Sequence, residues 1–235
     1  MSAQDILKTL ESLGSESYRA ILRKHGANDP VFGVKIEEMK KLLKAHKGNT
    51  ALACDLFATG NYDAQYLAGL MANGKEMSKE QLQQWLATAN CNAIRRYSVA
   101  WVATESSHVV ELINEWGSSS QEDVAATAWA TLISYVSVTP DQALDLPWLQ
   151  RLLDFVQTTI HQQPNEVRSG MNSFVIALGS FVAPLHDAAV QAGKAIGTVS
   201  IDVGDTACKI PFAPDYIAKV AARGAIGKKR KEIKC

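Results

Sequence analysis

Two adjacent arginines in an otherwise apolar stretch are the first residues whose types indicate binding chemistry. Arg95 and Arg96 are followed directly by Tyr97, and Trp101 lies about one helical turn further on. A guanidinium presents a planar fork of N–H donors that fits a phosphate, and an aromatic ring offers a face on which a base can stack. Either both arginines point into solvent, or Arg96 or Tyr97 faces a ligand groove.

A second polar set lies further along the chain, within a strongly apolar helical pattern. Asn165, Arg168 and Asn172 fall at positions i, i+3 and i+7, which places them on one helical face. Buried polar side chains need hydrogen-bond partners, and Asp202 and Asp205 in the following non-helical segment are the natural candidates. The pattern predicts either an internal network that fixes this segment or the same network opening onto a pocket.

That non-helical segment also contains a thiol beside a cation. A neighbouring Lys209 would lower the pKa of the Cys208 thiol, but a single thiol is weak evidence for nucleophilic catalysis. We therefore predict one polar network made of Asn165, Arg168, Asn172, Asp202, Asp205, Cys208 and Lys209.

Positive charge is concentrated near both ends of the chain. Residues 1–47 have a net charge of +3 and residues 219–235 of +6, whereas residues 48–218 have −9. Basic clusters can contact phosphates, although a basic terminus is more commonly a solvated end. The predicted nucleic-acid-binding residues are Lys40, Lys41, Lys44, Lys47, Arg95, Arg96, Trp101, Arg168, Lys228, Lys229 and Arg230.

Most familiar chemical motifs are absent from the sequence. It contains no phosphate-binding glycine loop, no dinucleotide fingerprint and no Gly-x-Ser-x-Gly elbow. The five histidines are isolated and the four cysteines match no metal-ligand spacing, so we expect neither a metal nor a cofactor. No apolar run reaches 18 residues and no secretion signal is visible, which predicts a cytoplasmic protein with free thiols and no membrane partner.

The elements that must position these residues read almost entirely as helices. Short amphipathic segments with short connections predict an all-α fold of antiparallel helix pairs, a HEAT-like α-α superhelix (solenoid), with a globular helix bundle as the competing interpretation. Ser78 with Gln81 and Ser119 with Glu122 fit the capping box that starts a helix. We predict one domain over residues 1–226 and a basic tail over 227–235. The helices are expected at about 5–13, 16–25, 35–46, 50–59, 62–73, 79–89, 92–104, 107–116, 120–136, 147–162, 165–182, 185–195 and 215–222.

Five tryptophans add a further alternative. Trp101 and Trp129 lie among apolar neighbours, which favours packing in the core. The other interpretation is that one or two tryptophans line a groove and stack on bases or a sugar.

Several of these segments resemble a known family. Phe32-Gly33-Val34 with the helix that follows, the stretch 56–68, the Asn165–Asn172 helix and the basic tail are similar to the HEAT-like repeat DNA alkylation repair family, the AlkD-like alkylpurine DNA glycosylases, in a divergent bacterial branch. The resemblance implies an α-solenoid that holds duplex DNA on its concave face and excises positively charged alkylated purines. It also implies a Trp and an Asp on one helix and an Arg on a later helix near the lesion.

The sequence departs from this pattern at the implied catalytic positions. No Asp or Glu occurs between Gln81 and Thr104, and no Lys or Arg occurs from Tyr97 to Gln150. A different carboxylate, such as Glu105 or Asp123, would have to substitute, so the catalytic residues stay unassigned.

Two functions remain open at this point. The first is a DNA-binding member of the alkylation repair family, with or without excision of alkylated purines and with contacts to the DNA backbone. The alternative is a catalytically silent HEAT-repeat scaffold that binds a protein or small ligand near Arg168, Asn172, Asp202 and Asp205. A third reading is a different enzyme that uses Cys208.

Overall fold

The computed structural model describes residues 2–202 and 209–234, and within them the fold is all-α, as predicted. No β-strand occurs in these residues, and the segment 197–202 is neither helix nor strand. The helices are α1 (Ala3–Leu13), α2 (Glu16–Lys24), α3 (Ile36–His46), α4 (Thr50–Phe57), α5 (Tyr62–Met71), α6 (Lys79–Thr88), α7 (Asn92–Ile94), α8 (Ala100–Glu105), α9 (Val109–Gly117), α10 (Glu122–Val138), α11 (Leu146–Thr159), α12 (Asn165–Phe181), α13 (His186–Ile196) and α14 (Ala213–Ala222), with a π-helical turn (Arg95–Val99) between α7 and α8.

Side-chain caps start several of these helices where the sequence indicates. The predicted capping box at Ser78 is present: its hydroxyl accepts from the Gln81 amide, and the Gln81 side chain accepts in return from the Ser78 amide. The predicted box at Ser119 is wrong, because α10 begins at Glu122 and no side chain caps it. The Glu122 carboxylate accepts instead from the backbone N–H of Glu166 at 2.7 Å, so it does not reach back to its own helix start.

The chain forms two compact units. The first comprises Met1–Asn114 with Lys234–Cys235, and the second comprises Glu115–Ile233. In the first unit α5 is buried along its whole length, and α3, α4 and the π-helical turn pack around it. In the second unit α12 has the central place and contacts α10, α13 and α14. Each unit is therefore organised around one central helix.

A buried carboxylate fixes the approach to α3 in the first unit. Asp63 is completely buried, and its oxygens accept hydrogen bonds from the backbone N–H groups of Phe32 (2.6 Å), Gly33 (3.2 Å) and Val34 (2.8 Å). Burial raises the pKa of Asp63, while the three N–H donors act in the opposite direction. Asp63 thereby joins two of the segments that carry the family resemblance.

Candidate nucleic-acid interface

A row of lysines runs along α3 and its C-terminal end. Lys40, Lys41, Lys44 and Lys47 are all exposed, as their spacing suggests. Lys41 forms an ion pair with Glu38 at 2.7 Å, whereas Lys40 and Lys44, one turn apart, have no ion-pair partner among the described residues. These two ammonium groups leave a positive patch that can meet phosphate oxygens.

The two arginines lie on the π-helical turn, which interrupts the predicted helix 92–104. Arg95 is half-buried: its Nε donates to the Leu86 carbonyl at 3.3 Å and its Nη1 to the Asn92 side chain at 3.2 Å. Arg96 is half-buried as well. A π-helical turn adds a residue to the helical repeat and often marks a functional site. Here it presents the arginines together with an exposed tyrosine.

Tyr97 is the exposed end of a row of aromatic rings. Half of Tyr97 (50 %) is exposed, and its ring centroid lies 5.5 Å from that of Trp101, which is only 5 % exposed. Trp101 in turn meets Tyr66 edge-on at 5.7 Å, and Tyr66 lies 6.5 Å from Tyr62. Burial raises the pKa of Tyr62 strongly, so that ring stays neutral. Trp101 therefore supports Tyr97 from beneath, and Tyr97 offers the accessible ring face.

A network of hydrogen-bonded side-chain amides, which sequence reasoning missed, fixes the residues directly before α7. Gln65 is buried; its amide donates to the carbonyls of Phe57 and Thr88 and accepts from the Asn90 N–H at 2.7 Å. The Asn90 side chain donates to the Asn28 carbonyl (2.9 Å) and accepts from the Asn28 N–H (2.8 Å). No local sequence signal predicts hydrogen bonds between residues this far apart in the chain, although an asparagine just before a helix is a known capping residue.

Replacing Asn90 tests how much this network contributes. We expect Asn90→Ala to lower the free energy of unfolding by about 1–2 kcal/mol, because the partly buried Gly60 carbonyl and the backbone groups of Asn28 lose their partners. Urea denaturation measures the change. The control is Asn114→Ala on the exposed side of α9, which we expect to change stability by less than about 0.5 kcal/mol. Equal effects of the two substitutions would contradict the assigned role.

In the second unit, two asparagines bind the backbone on either side of residues 203–208, which lie outside the described part of the chain. The Asn165 amide exchanges two hydrogen bonds of 2.7 Å with the backbone of Asp202, and Asn172 donates to the Pro211 carbonyl at 3.0 Å. The Nε of Arg168 is buried without a hydrogen-bond partner among the described residues. Lys209 is exposed. Asp205 and Cys208, which were predicted to join this network, lie outside the described residues.

The basic tail packs back onto the second unit. Lys229 forms an ion pair with Asp141 at 2.8 Å and donates to the Val136 carbonyl at 2.9 Å. The backbone N–H of Arg230 donates to the Ser137 carbonyl at 2.8 Å. The Lys229 ammonium is therefore neutralised by Asp141, while Lys228 and Arg230 are exposed.

Glu105, one of the two carboxylates that could replace the absent aspartate, is already paired. Its Oε2 accepts from Lys234 at 2.7 Å and from the Gly74 N–H at 3.1 Å, and burial lowers the pKa of Lys234. The other, Asp123, lies in the first turn of α10.

Among the described residues no cluster of three or more His, Cys, Asp or Glu could hold a metal ion. Within the same residues no single helix could span a membrane by length and hydropathy, although the bent pair formed by α12 and residues 183–196 passes that test.

A cleft of about 190 Å³ lies in the second unit. Its walls combine aromatic, apolar and hydroxyl groups, and they include Trp129, Phe155, Met171, Ser119 and Glu122. Trp129 is buried against Phe174, with the ring centroids 5.4 Å apart. The cleft is therefore a small recess over packed rings, and its lining includes Gln163 and Pro164, which directly precede Asn165.

Short paired helices, with exposed lysines on α3 and two half-buried arginines at the π-helical turn, define an all-α helical-repeat protein. The family model described as DNA alkylation repair enzyme matches residues 6–217, and the chain belongs to that family. A solved structure described as "a new family of proteins related to the HEAT-like repeat DNA glycosylases with affinity for branched DNA structures" is 33 % identical, with a TM-score of 0.93 and complete coverage of both chains. The fold is therefore of the HEAT-like repeat type that the sequence predicted.

Two bacterial relatives have similar length and no described activity. The uncharacterized protein Lin0241 of Listeria innocua serovar 6a is 27 % identical over 219 residues, which cover 91 % of this chain and 95 % of the relative. The uncharacterized protein Lmo0209 of Listeria monocytogenes serovar 1/2a is 28 % identical over the same extent.

Proposed function

We propose that this protein binds branched DNA and does not excise bases. The observation that carries the proposal is the π-helical turn Arg95–Val99, which places two arginines and the half-exposed Tyr97 on a helical stretch without a carboxylate before Glu105. A cation with an adjacent exposed ring suits a phosphate next to an unstacked base. The similarity to proteins described as having affinity for branched DNA supports the choice of substrate.

Several observations argue against base excision. Cleavage of a glycosidic bond develops positive charge on the sugar, and a nearby carboxylate normally stabilises that charge. Glu105 already neutralises Lys234 and accepts from Gly74, so it is a poor substitute for an aspartate directed at DNA. The stretch from Tyr97 to Gln150 also lacks any Lys or Arg that could hold a phosphate beside the lesion.

A branched substrate fits the groups that are present. Junctions bring phosphates close together and leave bases unstacked at the branch point, whereas a continuous duplex hides its base faces. Lys40 and Lys44 can contact the phosphates, and Tyr97 can stack on a base face that is open at the branch point. We therefore expect tighter binding to a junction than to a duplex of the same sequence.

The decisive experiment compares binding and base release in the same samples. Anisotropy titrations use a labelled four-way junction and a matched duplex at 50 and 200 mM salt, with a methylated duplex included for the release of free base. We expect salt-sensitive binding that favours the junction and no release above the protein-free control. Release of methylated purine would contradict the non-excising assignment. Absence of binding at low salt would overturn the DNA-binding function and favour the scaffold alternative.

Charge reversal on α3 tests the phosphate contacts. We expect the double variant Lys40→Glu with Lys44→Glu to bind the junction at least 10-fold more weakly at low salt and to reduce the slope of log K against log salt by about 2. Lys194→Glu, which changes an exposed lysine on α13, is the control with a smaller effect. An unchanged salt slope in the double variant would show that the α3 lysines do not face DNA.

A further inference from the structure

An exposed stripe on α14 combines aromatic rings and cations, apart from the residues assigned above to DNA. Tyr216 and Lys219 lie on α14, Phe212 directly precedes the helix and Arg223 directly follows it. Their intervals of four, three and four residues match the spacing of one helical face. Phe212 is 38 % exposed and Tyr216 is 49 % exposed. Lys219 and Arg223 are exposed as well.

The opposite face of α14 is fully packed. Ile217 is completely buried, and Ala213 and Pro214 are buried with it. Gly179 on α12 and Gly193 on α13 approach this face so closely that an added Cβ at either position would press on Ile217 or Pro214. The exposure of the stripe is therefore set by how α14 docks within its unit, and the two rings point away from the core of that unit.

The cations of the stripe have no ion-pair partner among the residues that the structure describes. Across the described ranges 2–202 and 209–234, neither Lys219 nor Arg223 forms an ion pair or a side-chain hydrogen bond. The acidic neighbour, Asp215, lies in the first turn, beside the aromatic end of the stripe. The positive charge is thus concentrated at the C-terminal end of α14, and the two rings lie at its N-terminal end.

This arrangement has the chemistry of a platform for unpaired nucleotides. Exposed rings stack on the faces of unpaired bases, and nearby cations follow the phosphates of the same strand. Paired bases in a duplex present no free face to Tyr216. The ten residues of α14 between Phe212 and Arg223 rise about 15 Å, enough for a short run of nucleotides.

We propose that the α14 stripe binds a single-stranded DNA segment, with Phe212 and Tyr216 stacking on bases and Lys219 and Arg223 contacting phosphates. This inference rests on the proposed function, since it assumes that the protein binds DNA. It adds a specificity that the α3 lysines and the π-helical turn do not provide: junctions or forks with an unpaired arm bind more tightly than fully paired junctions.

The test measures anisotropy of a labelled single-stranded thymidine 12-mer and of a fully paired four-way junction, using the full chain and its variants. We expect Tyr216→Ala to weaken binding of the 12-mer about 10-fold and Phe212→Ala to weaken it about 5-fold. Tyr216→Phe keeps the aromatic ring and should bind the 12-mer as the wild type does. Binding of the paired junction should change less than 2-fold. Phe155→Ala removes an equally exposed ring (46 %) elsewhere in the unit and is the matched control.

Each contrary result has a separate meaning. If the wild type binds the junction but not the 12-mer, or if the Tyr216→Ala variant binds the 12-mer normally, the stripe proposal is overturned and the proposed function is untouched. If the wild type binds neither DNA, the proposed function fails first. If Tyr216→Ala changes only self-association in sedimentation, the stripe contacts a second copy of the chain instead of DNA. Circular dichroism melts verify that these exposed substitutions leave the fold intact.

Discussion

Replacing Gly69 with alanine is expected to lower the free energy of unfolding by about 2–4 kcal/mol and to weaken junction binding with it. Gly69 lies on the buried helix α5, against Ser98 of the π-helical turn. An added Cβ would lie 2.6 Å from the Ser98 Cα, a backbone atom that cannot rotate away. The turn would have to move, and Arg96 and Tyr97 would move with it.

Urea denaturation and junction anisotropy measure both consequences of Gly69→Ala. The matched control is Gly117→Ala at the last residue of α9. The nearest atom to its added Cβ is the Cβ of Ala128, which lies 3.8 Å away. Alanine favours a helix over glycine, so we expect this control to be neutral or to stabilise by up to about 1 kcal/mol. Comparable stability of the two variants would show that the contact between Gly69 and Ser98 does not constrain the turn.

Removing the Asp63 carboxylate should have the other large effect. Asp63→Ala leaves the backbone N–H groups of Phe32, Gly33 and Val34 without an acceptor in a buried site. Each lost bond to a charged acceptor contributes about 1.5 kcal/mol or more, so we expect a total loss of about 3–5 kcal/mol. The approach to α3 would loosen, and with it the position of Lys40 and Lys44.

Thermal denaturation should report this loss as a fall in Tm of about 10 °C. Asp63→Asn preserves the volume and one acceptor oxygen, so it should be less destabilising than alanine. The exposed Asp55→Ala variant on α4 controls for the loss of a negative charge. A Tm change below about 2 °C for Asp63→Ala would mean that water replaces the carboxylate at no cost and would refute its structural role.

Most of the helices were predictable because they are short, amphipathic and bounded by local signals. Glycine directly follows α1 and α13, and Gly48 lies two residues after α3. Serine caps α6, and Asp145 caps α11, which has Pro147 in its first turn. The interruption of the helix 92–104 was not predictable, because the π-helical turn coincides with a close approach between Gly69 and Ser98, which lie far apart in sequence. The capping box predicted at Ser119 is absent for the same kind of reason. The Glu122 carboxylate accepts a hydrogen bond from the backbone N–H of Glu166, which is distant in sequence.

The candidate site was predictable where residue spacing alone places a group on a surface. The lysine row on α3 follows directly from helical periodicity. Two features needed the fold: the ion pair of Lys229 with Asp141, and the position of Trp101 beneath Tyr97. Local sequence does not encode partners of this kind, because the chain brings them together only after the helices pack.

The long-range bonds of the first unit also have a kinetic consequence. Asp63 reaches back about 30 residues to Phe32, and Asn90 reaches back 62 residues to Asn28. Helical proteins usually fold fast because most of their contacts are local, but each of these bonds closes a long loop and loses chain entropy first. The first unit should therefore refold more slowly than a simple helix bundle of its size. Asn90→Ala should mainly speed unfolding if the Asn28–Asn90 pair forms after the rate-limiting step.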